Sequence, residues 1–281
     1  MINKILIFGT DGMLGRYVHT YLSNIKKYEV IPITKQSFNV LVDISILENF
    51  LLSKKINEKT CIINCIGLIP QRLKNNINSN DYFLINSIFP QLLSKYSNKY
   101  STKMIQPTTD CVFNGAKCKY IETDDHDEPG IYGISKSFGE YAANCTIIRT
   151  SIIGEEVFNK YSLLEWVKNS NDVINGYNNH LWNGITCLEY CKIIDSIITN
   201  NLFWKGVRHV YSPDIKSKYE LCCIIKDVYS ISTEIKKIDH LSIIDKTLYS
   251  VYELPFKIPN LEIQIKELQE YQNILITPLK I

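Results

Sequence analysis

Apolar positions in the first half of the chain alternate between short continuous runs and longer stretches of helical period. Residues 3–8 (NKILIF) are an apolar run ended by glycine, which reads as a buried parallel strand. A helical stretch from Arg16 to Lys27 follows, then a strand at Glu29–Ile33 and a helix near Ile44–Lys54. Cys61–Ile66, Lys103–Pro107 and Thr146–Arg149 read as further strands, with helices over Asp81–Tyr96 and Tyr132–Ala143 between them. Such βα alternation predicts an α/β fold, a Rossmann-type doubly wound parallel sheet with right-handed crossovers.

Beyond residue 155 the rhythm changes. Helical periodicity appears at Leu163–Lys168, Leu188–Ile198, Tyr219–Tyr229 and Ile258–Gln272, with short strands near Val173 and at His209–Tyr211. These elements predict a smaller α/β substrate lobe over 156–281 on a dinucleotide-binding domain over 1–155, closing over the sheet's carboxyl edge. No Ser/Gly/Pro linker separates the halves, so the chain is free to interleave between them.

Composition narrows the classes. The 281 residues are 45% hydrophobic and 21% charged, enough apolar material for a full core. A net charge of +2 without a basic stripe disfavours a nucleic-acid partner. No run approaches the roughly 20 apolar residues of a spanning helix. The nine cysteines are odd in number, and most sit in apolar periodic segments, where a thiol acts as a small hydrophobe. A reduced, cytoplasmic protein without a metal site is expected.

The glycines of Gly9-Thr10-Asp11-Gly12-Met13-Leu14-Gly15 lie between a strand and a helix, as G-x-x-G-x-x-G. Glycine there lets backbone approach a pyrophosphate, which the N-terminus of the helix opening at Arg16 stabilises. Selection of NAD calls for a carboxylate at the end of the second strand. The chain has Thr34-Lys35-Gln36-Ser37 instead, so Lys35, helped by Arg16 and Ser37, is expected to pair with the 2′-phosphate of NADPH. Asp43 and Ile44 are expected near the adenine, and Cys65-Ile66-Gly67 beneath the ribose and phosphates.

Tyr132 and Lys136, at i and i+4 in Tyr132-Gly133-Ile134-Ser135-Lys136, share a helical face. A nearby ammonium favours a phenolate, and such a tyrosine can protonate a carbonyl oxygen as hydride reaches its carbon. A chance Tyr-x-x-x-Lys is common in a chain with 18 tyrosines, but the strand before it ends in Thr108-Thr109-Asp110-Cys111-Val112-Phe113, with hydroxyls at the expected edge.

Taken in order, GTDGMLG, TTDCVFNG, YGISKSFGE and RTSIIG resemble the extended short-chain dehydrogenase/reductase family, in its dTDP-4-dehydrorhamnose reductase branch. That resemblance implies a homodimeric NADPH-dependent reductase of a nucleotide-linked 4-keto-6-deoxy-hexose. It implies that Thr109 hydrogen-bonds the substrate carbonyl, that Tyr132 donates the proton, and that Lys136 holds the nicotinamide ribose. Asn86 matches a helix asparagine that supports the site in the family.

Two positions depart from the branch: Cys111 replaces its tyrosine after the aspartate, and Ile152 replaces the tryptophan of RTSW. Cysteine at the first position resembles GDP-fucose synthetases, which epimerise beside the ketone; His180 and Lys160 are candidate partners for such a thiol. A further resemblance, in RTSIIGEE, SLLEWV and NGYNNHLWNGIT, is to reductases of UDP-2-acetamido-2,6-dideoxy-4-ketohexoses that make N-acetyl-L-rhamnosamine and related sugars. Leu68, Asp110, Cys111, Arg149 and Trp182 are the expected substrate contacts, with Trp166 and Tyr177 as further candidates. The alternatives are a bifunctional 3-epimerase/4-reductase, a reductase of dTDP- or UDP-4-keto-rhamnose, and a non-catalytic dinucleotide-binding regulatory subunit.

Overall fold

The computed structural model describes residues 1–70, 78–157, 160 and 162–276. Its main sheet has six parallel strands: Lys4–Phe8, Glu29–Ile33, Thr60–Asn64, Lys103–Thr108, Thr146–Arg149 and Gly206–His209. From edge to edge they lie as 206–209, 146–149, 103–108, 60–64, 4–8 and 29–33. Strand order reverses between 4–8 and 60–64, and the loops leaving those two strands flank the crevice where open α/β sheets bind ligands.

The strands are apolar on both faces because helices cover both. Ile5, Leu6, Ile7, Phe8, Ile62 and Ile63 are fully buried. On one face the helices Met13–Asn24, Cys187–Thr199 and Leu261–Ile276 share a core with Ile5, Ile7 and Ile63. On the other, Leu47–Ser53 and Phe89–Lys99 pack on Leu6, Phe8 and Ile62.

Several boundaries moved. The helix expected near Ile44–Lys54 is three short pieces, Val40–Asp43, Ile44–Ile46 and Leu47–Ser53. That expected at Asp81–Tyr96 runs Ser79–Lys99 and is interrupted by a π-helical turn at Leu84–Ile88. The helix at Tyr132 ends at Gly139, before Ala143. The strand expected at His209–Tyr211 is Gly206–His209, and it pairs with Thr146–Arg149 as the sixth strand of the main sheet.

The chain therefore interleaves: residues from beyond 155 complete both the sheet and one helical layer. Separate small sheets build a lobe over the carboxyl edge. His180–Trp182 pairs with Lys216–Ser217 and Ile244–Asp245, and Ile174–Tyr177 pairs with Ile235–Ile238. Among the described residues no helix is long and apolar enough to cross a membrane.

Candidate active site

A cleft of about 790 Å³ opens between the carboxyl ends of the strands and the second lobe. One end is the glycine turn. A Cβ on Gly15 would lie 2.1 Å from the Gly9 oxygen, so only glycine lets the first helix turn approach the strand end this closely. Asp11 accepts a hydrogen bond from the Lys35 backbone nitrogen (2.7 Å) and ties the turn to the second strand. Thr34, Lys35, Gln36, Asn39 and Asp11 line an adjoining hollow of about 530 Å³.

The middle of the cleft is the segment Cys65–Pro70. It is held from below by Asn86, which lies within the π-helical turn. The Asn86 carboxamide accepts from the Leu68 nitrogen (2.9 Å) and donates to the Leu68 oxygen (3.0 Å) and the Ser135 hydroxyl (3.0 Å). Both backbone groups of Leu68 are thus satisfied by one side chain, and the same side chain reaches the helix that carries Tyr132 and Lys136.

That helix, Ile131–Gly139, presents Tyr132 and Lys136 to the cleft. It sits hard against the turn Asp110–Val112, where a Cβ on Gly133 would come 2.5 Å from the Cys111 oxygen. Thr109 caps that turn, accepting from the Cys111 nitrogen (3.1 Å) and donating to Asp110 (3.2 Å). Thr109, Asp110, Cys111, Tyr132 and Lys136 accordingly line one stretch of wall.

Burial dominates the electrostatics here. It pushes the Tyr132 phenol well above its ordinary value, with the neighbouring Cys111 adding to the rise and a hydrogen bond from Thr109 opposing it. The expectation of a phenol lowered by Lys136 is therefore reversed. Burial also draws the Lys136 ammonium down to about 8, against the opposing pull of Glu140. The Cys111 thiol is pushed up to about 12 by burial and then by Asp110.

Of the residues singled out from sequence, Gly9, Asp11, Gly12, Met13, Leu14, Lys35, Cys65, Ile66, Gly67, Leu68 and Trp182 also line this cleft. Others do not. Arg149 is 1% exposed and is engaged by Glu140, His126 and His209 outside the cleft, because its strand end faces Glu140, the residue that caps the helix Ile131–Gly139. Arg16 donates from Nε to the Leu275 oxygen, Ser37 bonds back to Thr34, and Asp43 accepts from the Asn39 nitrogen. Ile44 packs on the core behind the second strand. Trp166 is 45% exposed and away from the cleft. Tyr177 and His180 form a ring cluster with His240, with centroids 4.6–5.1 Å apart, and Lys160 bonds Asn169.

Sequence reasoning missed Glu156, Ser162, Lys218 and Leu221, which form the second lobe's wall. Glu156 and Ser162 lie within RTSIIGEE and SLLEWV but were not singled out there, and Lys218 and Leu221 belong to no quoted motif and reach the cleft only through the fold of their lobe.

Residues 3–243 match the RmlD substrate binding domain family. The spore coat polysaccharide biosynthesis protein SpsK of Bacillus subtilis is 24% identical, with 83% of this chain and 82% of that protein covered. A dTDP-4-dehydrorhamnose reductase of Aggregatibacter actinomycetemcomitans is also 24% identical, over 80% of this chain and 78% of that one. Among solved structures, a dTDP-4-dehydrorhamnose reductase from Clostridium acetobutylicum superposes with a TM-score of 0.76 at 22% identity, covering 96% of this chain and 99% of that one. The motifs, the sheet and the match over most of its length agree: this chain belongs to the RmlD substrate binding domain family.

Proposed function

We propose that this protein is an NADPH-dependent reductase of a nucleotide-linked 4-keto-6-deoxy-hexose, acting at C4. One observation carries the reading: Thr109, Tyr132 and Lys136 line the same cleft as the glycine turn. A regulatory subunit that only binds a dinucleotide has no need of that set.

When bound, NADPH supplies the hydride. The Gly9–Gly15 turn would hold its pyrophosphate at the helix N-terminus, and Lys35, at the mouth of both hollows, would meet the 2′-phosphate. An anionic cofactor beside Lys136 favours its charged form, so the ammonium can bind the nicotinamide ribose. Thr109 would hydrogen-bond the C4 carbonyl oxygen. Tyr132, kept neutral by burial, is in the protonation state that a proton donor to a developing alkoxide requires.

Within this class we favour a UDP-2-acetamido-2,6-dideoxy-4-ketohexose, giving UDP-N-acetyl-L-rhamnosamine or a related L-sugar for glycan synthesis. Cys111 and Ile152 line the cleft where the branch has larger aromatic side chains, and smaller side chains at those positions suit a bulky C2 substituent. Similarity to a polysaccharide biosynthesis protein supports a glycan destination. A bifunctional epimerase needs Cys111 as a thiolate, and a thiol pushed up to about 12 is neutral near pH 7. Cys111→Ser should therefore leave product configuration at C3 unchanged, and an altered C3 product by NMR would establish the epimerase instead.

The decisive assay is NADPH oxidation with the 4-keto-6-deoxy intermediates made from UDP-GlcNAc, UDP-glucose and dTDP-glucose. Turnover on the first supports the proposal, and preference for the third returns the substrate to the dTDP series. Absence of turnover on all three, with NADPH bound, would favour the regulatory subunit. We also assign a homodimer to the exposed apolar face formed by Ile88, Phe138 and Tyr141. Sedimentation of wild type and Tyr141→Lys tests it, and a wild-type monomer would exclude it.

A further inference from the structure

Lys218 opens the helix Lys218–Val228 of the second lobe and lines the cleft together with Asp110 and Cys111. Its Nζ lies over the face of Trp182, 5.2 Å from a ring centroid. Among the described residues it enters no ion pair, so no carboxylate oxygen is within 4.0 Å of it. The helix end beside it is already closed. Ser217 accepts from the Glu220 nitrogen, and Glu220 accepts from the Ser217 nitrogen.

A partly buried ammonium costs free energy unless a counter-charge offsets it. Desolvation holds the Lys218 pKa below its ordinary range, while Asp110 and Cys111 oppose that shift. Neither comes close enough to pair. The described cations lining the cleft are Lys35, Lys136 and Lys218. The proposed cofactor takes the first two, which leaves Lys218 facing the substrate's half.

We propose that Lys218 is the anion-binding residue of the substrate site, and that its counter-ion is the diphosphate of the nucleotide-linked sugar. This rests on the sugar-nucleotide reading above. A diphosphate is present in every such substrate, whatever its base or sugar. An ammonium on a flexible stem suits it as a point charge, and the Trp182 ring beneath Lys218 positions that charge. Lys218 then recognises the shared part of the substrate, and the wall around Cys111 recognises the sugar.

The test uses the NADPH-loaded protein and isothermal titration with UDP, dTDP and uridine, in wild type, Lys218→Gln and Lys218→Arg. Lys218→Gln should weaken diphosphate binding roughly tenfold to a hundredfold, the range for a hydrogen bond to a charged group. Lys218→Arg should recover most of it, and NADPH and uridine affinities should stay unchanged. Unchanged UDP and dTDP affinity in Lys218→Gln overturns the assignment alone. Wild type that binds NADPH but no nucleoside diphosphate overturns the sugar-nucleotide reading together with it.

Discussion

Glu140 grips Arg149 through two hydrogen bonds, one of them from Nε to Oε1 at 3.0 Å, with both side chains almost wholly inside the protein. Glu140 lies one helical turn beyond Lys136, and Arg149 ends the strand beside the one that leads to Thr109. Thr108 donates to the same carboxylate at 2.8 Å. The pair joins the helix of Tyr132 and Lys136 to the sheet that carries the rest of the cleft wall.

Removing one partner strands the other as an uncompensated buried charge, which costs about 3–5 kcal/mol. Arg149→Met should therefore lower unfolding free energy by about that amount in urea titration. A loss below about 1 kcal/mol, the level of a surface pair, would show that the network contributes little.

His209 supplies a pH dependence. Arg149 Nη1 donates to its Nε2 (2.7 Å), and its Nδ1–H donates to the Tyr249 oxygen (2.6 Å), so only the neutral ring fits. Burial, then Arg149, lowers its pKa to about 4. With the unfolded value near 6.5, the unfolded chain binds the extra proton first as pH falls. Stability from this group is complete above about 6.5 and is lost progressively down to about 4. Melting temperature should fall across that window, and His209→Gln should flatten the slope. An equal slope in both proteins would remove His209 as the cause.

Tyr132→Phe keeps the ring and loses the proton. If Tyr132 is the donor, kcat should fall about 100- to 10,000-fold, the usual worth of a positioned acid. NADPH affinity, read by fluorescence, should hold. Turnover within threefold of wild type would send the proton-donor role elsewhere.

Lys35 follows the edge strand Glu29–Ile33 and lines the adjoining hollow. Lys35→Ala should reduce the preference for NADPH over NADH roughly tenfold, the effect of losing one charge-assisted phosphate contact. The measurement is kcat/KM with each cofactor, and an unchanged ratio would show that the 2′-phosphate is bound by other groups.

What sequence alone determined about this protein is what local spacing encodes. The apolar runs, the helical periods between them and the glycines of GTDGMLG each depend on neighbours a few residues away, so the parallel sheet and its glycine turn were legible. Tyr132 and Lys136 were legible for the same reason, since an i and i+4 pair shares a face on any helix. Folding decided everything that depends on distant partners. Gly206–His209 becomes a main-sheet strand only by pairing with Thr146–Arg149. Arg149 looks like a substrate contact until Glu140, His126 and His209 close around it. The π-helical turn at Asn86 and the burial that raises Tyr132 arise from packing between elements, which no periodicity records. Lys218 is an ordinary lysine at a helix start until the second lobe carries it over Trp182 and into the cleft. Desolvation and counter-charge act through space, so they appear only once the chain has closed on itself.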